Sequence, residues 1–411
     1  MSLTLTIDSI AYRGAGVARS EGIVYFVPGT CPGEDVIAKV IREKKSFKEA
    51  QVLLVVKRSP DRLHKPTCRL ATPEGDIQVP GCVYGHVTHE AELRYKQDQL
   101  LSFLSRQGGI ANAAEILLEP LQSPKLLNYR NKITLHVGRN AEGSKILGYV
   151  GEDNVSIVDV PQCPLAVPEI NQALTEIRAD REFWKYMGAD GSIALRWTET
   201  DGVIVIPETE AEGREEASLP PLTELSPVVG KLMVPAKGFF QVNPEVGAEL
   251  VSYVTGLVET CEPRELIDFY CGVGVFGLSA SKRKIRHVIG FDSGRGVIRT
   301  ANDNARRLGL PTRFFCEYSS RIASRALAQL ESTNRMVVVD PPRAGLEPEV
   351  TSALLEHPVD HVVYVSCSPD TLARDLALLT KEGKYQVKSA RIFDMFPRTA
   401  HFETAVHLAR T

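Results

Sequence analysis

Cys367 in VVYVSCSPDTLARDL and Asp340 in VVVDPPRAGL each stand where an apolar, strand-like run stops, and both side chains can do chemistry. The thiol is followed by Ser368, Pro369 and a helical pattern from Asp370, so it lies near the positive end of a helix, which favours the nucleophilic thiolate. Two prolines after Asp340 remove two main-chain donors and force an extended turn. Such a turn holds the carboxylate in a fixed place, as an enzyme that seats a planar base beside a cofactor needs. The plain alternatives are a structural thiol, the reading given to Cys261 and Cys316, and an ordinary strand-ending turn.

DFYCGVGVFGL (268–278) adds a third strand end, with Gly272, Gly274 and Gly277 in the places of a G-x-G-x-x-G turn between a strand and a helix. Main-chain N–H groups there face a ligand's polar atoms, and the turn suits NAD and S-adenosylmethionine alike. Asp292, closing HVIGFD, can accept hydrogen bonds from both ribose hydroxyls of either cofactor, or cap the helix that follows.

These side chains need a scaffold that gathers strand ends, and the second half of the chain has its pattern. After Lys237, the runs LIDFY, HVIGFD, RMVVVD and HVVYVS alternate with helical patterns at 246–259, 295–308, 347–356 and 370–382. Alternation of this kind specifies a doubly wound, Rossmann-like α/β domain, whose ligands bind at the carboxyl ends of the strands. Upstream, residues 129–235 give strand-like runs with one helix near 168–187, a largely β central unit. A helix is predicted at 89–106, with Leu93, Leu100, Leu101 and Leu104 on one face and Glu90/Arg94 and Glu92/Lys96 as i,i+4 pairs. The first 58 residues read as a small all-β barrel of the OB type. Lys44, Lys45 and Lys48 with Phe47 would give it charge and a stacking ring for single-stranded nucleic acid, unless they are only a solvated hairpin tip.

Composition bounds the rest. The 411 residues, 43% hydrophobic and 24% charged, suit a chain of two or three domains, and no run is long and apolar enough to span a membrane. With no secretory pattern at the N-terminus, the expected location is the cytoplasm. The net charge of −3 gives no global sign of nucleic-acid binding, but averages hide local patches, and residues 1–58 carry nine Lys/Arg against six Asp/Glu. PETEAEGREEASLPP (207–221) reads as an acidic surface loop.

Five ordered motifs, KGFFQVNP, DFYCGVGVFGL, DPPRAGL, VSCSPDTLARDL and FPRTAHFETAVHL, together resemble the S-adenosylmethionine-dependent RNA (uracil-5)-methyltransferases. The N-terminal barrel is similar to the TRAM domain that many members carry. The resemblance implies Cys367 as the nucleophile, Glu403 as the base, and Asp340 shared between cofactor and uracil. It implies a cofactor site of Gln241, Tyr270, Gly272, Gly274, Asp292, Tyr318 and Asp340. Val275 stands where some members have Asn, and Asp292 where many have Glu. The implied partner is structured RNA, ribosomal (23S) in preference to transfer RNA, and a monomer is expected. A transfer-RNA enzyme and an RNA-binding protein with a degenerate catalytic domain are the alternatives.

Members with a [4Fe-4S] cluster use four cysteines. Cys82 and Cys163 match the last two of those places here, Cys68 is the candidate for the first at a longer spacing, and Val79 stands at the middle one. A cluster on three cysteines and another ligand, no metal, and zinc with His64, His86 or His89 all remain open. The expected division is 1–58 for the barrel, 59–88 with 111–236 for the central unit, and 89–110 with 237–411 for the methyltransferase domain.

Overall fold

The computed structural model describes residues 2–68, 70, 80–188, 191–208, 219–285 and 287–411. Much of the acidic loop, and Val79, lie outside them. The N-terminal all-β unit is a six-stranded sheet running from Ser2–Thr6 to Phe47–Lys57. Alternation sends Val36 and Ala38 of Asp35–Glu43 inward to join Leu5, Ala18, Val27 and Val52 in its core.

The central unit is an antiparallel five-stranded sheet in the order Ile157–Asp159, Lys145–Val150, Lys132–Arg139, Ser192–Thr198, Gly202–Glu208. Where one helix is predicted there are two, Pro168–Ala179 and Arg181–Tyr186. Asp180 adopts an extended conformation between them and its side chain accepts from the Glu182 N–H, so it ends one helix and caps the next. A hairpin, Leu222–Ser226 and Gly230–Val234, follows. The buried Arg196–Glu224 pair at 2.8 Å fastens it to the central sheet. On its other side the Asn304 amide bonds both the N–H and the carbonyl of Met233 at 2.8 and 2.9 Å.

The C-terminal sheet has eight strands, in the order Arg313–Cys316, His287–Asp292, Glu265–Phe269, Arg335–Val339, His361–Ser366, Glu403–Arg410, Tyr385–Phe393, Leu117–Leu121. The first five are parallel, and all but the edge strand Arg313–Cys316 send apolar side chains to both faces, as helices on either side require. Glu403–Arg410 runs antiparallel to both of its neighbours. The four predicted parallel strands and their helices are present; the edge strand Leu117–Leu121 carries no alternating pattern and was not expected.

The helix His89–Ser102, capped by Thr88 and continued by a π turn to Gln107, packs Leu100 and Leu104 into the core of this sheet. Of its two expected i,i+4 pairs, Glu92–Lys96 forms, at 2.7 Å in the interior, whereas Arg94 pairs with Asp61 at 2.7 Å. Among the described residues no helix is long and apolar enough to cross a membrane.

Candidate active site

Strand Glu265–Phe269 delivers the chain into the glycine turn and then into helix Val275–Lys282. Gly274 has φ +85°, and a Cβ there would lie 2.4 Å from the Phe314 ring, so only glycine closes this turn. Tyr270 also takes a left-handed φ, of 60°, unusual for a bulky residue and a mark of functional turns. Its hydroxyl donates to Glu347.

Two carboxylates brace the turn. Asp292 accepts from the Gly272 N–H at 3.0 Å and from the Gly294 N–H at 2.8 Å. It therefore holds the turn and the Gly294 that precedes the next helix, without capping that helix, and both oxygens keep a further lone pair for a ligand. Asp268, which sequence reasoning missed, is fully buried and accepts from the Gly277 N–H at 2.8 Å. Burial pushes its carboxyl up to about 8, with Asp340 and Asp292 adding to the shift and the Gly277 N–H opposing it.

Beside the turn lies a cavity lined by Phe239, Phe240, Gln241, Tyr270 to Val273, Phe276 and Asp340. The Oε1 of Gln241 is buried without a hydrogen-bond partner among the described residues, an acceptor left for something the cavity would take in. Five of the predicted cofactor residues, Gln241, Tyr270, Gly272, Gly274 and Asp292, thus cluster on the turn and the cavity wall, with Asp340 between them and the second site. Tyr318 follows strand Arg313–Cys316 and is half exposed, with the Arg321 guanidinium 5.0 Å over its ring.

Asp340, Cys367 and Glu403 come from three adjacent strands. Ser366 is paired with Thr404, and the next positions of that antiparallel register are Cys367 and Glu403, which face one another at the sheet's end. Ser366 Oγ accepts from the Ser368 N–H at 3.1 Å and pins the cysteine's turn. The DPPRAGL turn is anchored by Asp375, whose Oδ2 accepts from the Leu346 N–H at 2.8 Å and from the Tyr364 hydroxyl at 2.7 Å.

Electrostatics show that the three groups share one cleft. Burial pushes the Cys367 thiol up to about 11, with Glu403 and Asp340 adding to the shift and Arg343 opposing it. Burial likewise holds Glu403 well above the usual carboxylate range, with Asp340 adding and Arg343 opposing. Asp340 is pushed up to about 7 by burial. The expectation of a thiolate favoured by the helix end is corrected: in the free protein, burial and two acidic neighbours outweigh the helix, whose Pro369 offers no N–H. Arg343 is a further member that the sequence did not single out.

The barrel reaches the cleft by an unexpected element. Burial raises the Tyr12 hydroxyl, with Asp370 and Cys367 adding to the shift and Arg13 and Arg343 opposing it. Tyr12 packs edge-on against Phe103 at 5.3 Å, and Ala11 O accepts from Gln99 at 3.3 Å. At the expected nucleic-acid tip, Phe47 packs edge-on against Phe26 at 5.2 Å and Lys48 pairs with Glu43 at 3.1 Å. Lys44 and Lys45 are exposed in the turn between strands.

Behind Glu403, the loop 394–402 is tied down by buried charge. Lys96 bridges Glu92 at 2.7 Å and Asp394 at 3.0 Å, His89 bonds Asp394 at 2.8 Å, and the Arg398 N–H donates to Glu92 at 2.7 Å.

Cys68, Cys82 and Cys163 gather in the central unit: burial pushes the Cys82 thiol up to about 12, with Cys163 and then Cys68 adding to it. The histidines weighed as zinc ligands do not join them. His89 is held by Asp394, His86 is buried against Thr30 O at 3.4 Å, and His64 is exposed. Cys316, read as a structural thiol, is instead exposed.

Comparison with known proteins agrees with this geometry. The family model described as tRNA (Uracil-5-)-methyltransferase matches residues 227–411. An uncharacterized RNA methyltransferase of Aquifex aeolicus is 32% identical over 98% of this chain and 97% of its own. The 23S rRNA (uracil(1939)-C(5))-methyltransferase of Stenotrophomonas maltophilia is 28% identical over 97% of this chain and 95% of its own. The crystal structure of the Pyrococcus abyssi tRNA (uracil-54, C5)-methyltransferase in complex with S-adenosyl-L-homocysteine has the same fold, with a TM-score of 0.75 and 24% identity over 99% of this chain and 100% of that one.

Proposed function

The chain belongs to the S-adenosylmethionine-dependent RNA (uracil-5)-methyltransferases, and from that premise we propose that it methylates C5 of one uridine of 23S ribosomal RNA through a covalent adduct on Cys367. The observation that carries the adduct is the register that sets Cys367 opposite Glu403 at the end of the sheet, with Asp340 in the same cleft.

Gln241, Tyr270, Gly272, Gly274 and Asp292 would hold S-adenosylmethionine, and the fit rests on the orphaned Gln241 oxygen beside a turn that admits no side chain at Gly274. When bound, that cofactor supplies the methyl group for C5. The uridine must leave its stack to reach the cleft. The Cys367 thiol loses its proton and adds to C6, which turns the ring into an enolate with an electron-rich C5. After C5 is methylated, the Glu403 carboxylate takes the C5 proton, the C5–C6 double bond re-forms and the thiolate leaves. A buried carboxylate with a raised pKa is a stronger base for that step. Asp340 stands between cavity and cleft, where it would serve both cofactor and uracil edge.

The three units would divide the work at 1–58, 59–88 with 111–236, and 89–110 with 237–411, except that Leu117–Leu121 joins the sheet of the last unit. Tyr12 and Arg13, together with Lys44 and Lys45, are the barrel's candidates for contact with RNA. Three gathered thiols would bind a metal group in the central unit, but a [4Fe-4S] cluster there needs a fourth ligand other than cysteine. Iron and sulfide analysis of anaerobically purified protein tests this.

Ribosomal RNA is favoured because the 23S rRNA enzyme of Stenotrophomonas maltophilia matches almost end to end, barrel included. The family model's description supports transfer RNA as the second reading. Mapping 5-methyluridine in both RNAs from a deletion strain decides: loss from 23S rRNA alone supports the proposal, and loss from transfer RNA alone overturns that choice of substrate.

A further inference from the structure

At the opposite end of the central strands from the cleft, Cys261, His361 and His407 converge. Cys261 ends helix Pro244–Cys261, His361 opens strand His361–Ser366, and His407 stands on Glu403–Arg410. His407 Nε2 lies 3.8 Å from Cys261 Sγ and 3.2 Å from His361 Nδ1, and the three donor atoms all lie within 4.8 Å of one another. A hydrogen bond between the imidazoles accounts for one of these approaches. It does not account for a thiol converging on the same nitrogen.

We propose that Cys261, His361 and His407 form a site for one divalent ion of the zinc class. Zinc bonds of about 2.0–2.1 Å to nitrogen and 2.3 Å to sulfur set tetrahedral edges of about 3.3 Å for N···N and 3.6 Å for S···N. The two separations at His407 agree within a few tenths of an ångström, and the Cys261–His361 separation lies within 4.8 Å, so small side-chain adjustments would seat the ion. Three half-buried protein ligands leave the fourth position to water.

The surroundings suit the ligating forms. Burial lowers both imidazoles, with His361 and Lys388 depressing His407 further and Asp360 opposing the shift of His361. The nearby Asp360 carboxylate is already engaged, accepting from the Arg335 N–H at 2.8 Å. Binding replaces the thiol proton by the metal and releases one proton per ion. The three ligands come from a helix and two neighbouring strands, one of which begins at Glu403, so the ion would cross-link elements that back the cleft.

The test uses the full chain and peptide-resolved alkylation, which separates Cys261 from the seven other cysteines. With zinc present at micromolar concentration, iodoacetamide labelling of Cys261 should slow at least tenfold, and His407→Ala should abolish that protection. Cobalt should bind with one more equivalent in the wild-type protein than in Cys261→Ser, and the difference spectrum should carry thiolate-to-cobalt absorption. Unchanged Cys261 labelling with and without zinc overturns the site, as does equal cobalt stoichiometry in the wild type and a folded Cys261→Ser.

Discussion

Lys96 Nζ lies 3.0 Å from Asp394 Oδ1, both side chains wholly buried, and this pair joins the helix His89–Ser102 to the loop that ends at Glu403. The attraction of Asp394 and Glu92 holds the proton on Lys96 despite its burial, and in return Lys96 and His89 keep Asp394 below the usual carboxylate range. Removing one partner leaves a buried charge unpaired, which costs about 3–5 kcal/mol. Lys96→Ala should therefore lower unfolding stability by that order in urea titration. At temperatures where it stays folded it should also lose kcat more than cofactor affinity, because loop 394–402 loses its anchor.

The glycine turn gives a second prediction. Gly274→Ala forces a side chain into Phe314 at a φ of +85°. Affinity for S-adenosylhomocysteine, measured calorimetrically, should fall at least tenfold, about 1.4 kcal/mol. Gly256→Ala, on helix Pro244–Cys261 where nothing lies within 4 Å of the added Cβ, should leave that affinity unchanged.

Rate should depend on pH through the cleft. Cys367, Asp340 and Glu403 are all raised, so the deprotonated forms needed for attack and for proton removal grow as pH rises. The value of kcat/KM should increase from pH 6 towards alkaline pH. Arg343 opposes the shifts of Cys367 and Glu403, so Arg343→Ala should displace the profile to higher pH.

Stability should depend on pH through Asp268. Its folded pKa, about 8, lies above that of an unfolded aspartate, about 3.8. Its contribution is therefore complete below the unfolded value and is lost as pH rises through the folded one, by roughly 1.4 kcal/mol per pH unit between them. Asp268→Asn keeps an acceptor for the Gly277 N–H and removes the titration. Urea unfolding at pH 5 and pH 8 should show a flatter pH slope in that variant than in the wild type.

RNA contact is predicted at the barrel's Tyr12 turn as well as at Lys44 and Lys45 of its tip. Arg13→Ala should weaken RNA binding and reduce the salt slope by about one. Lys48→Ala should change little, since Glu43 already pairs with that lysine.

Much of this was legible in the chain itself. Strand ends carry chemistry in a doubly wound sheet, so Cys367, Asp340 and Asp292 could be found from apolar runs that stop at a polar residue. Gln241 and Glu403 needed the family motifs, because neither sits at the end of a parallel strand. What stayed hidden depends on contacts far apart in sequence. Glu92 and Lys96 have the spacing of a surface pair, and only Asp394 and Arg398, some three hundred positions away, make them a buried hub. Phe47 looked like a free stacking ring because nothing local reveals Phe26 against it. Cys261, His361 and His407 meet only because the last strand folds back antiparallel beside His361–Ser366.

The central claim is the covalent adduct, and denaturing gel analysis of the protein incubated with its RNA and S-adenosylmethionine tests it most directly. Glu403→Gln should accumulate a protein–RNA complex that survives denaturation, because the proton step that releases Cys367 is blocked. Cys367→Ala should form no such complex and make no 5-methyluridine. Full methylation by Cys367→Ala would contradict the account.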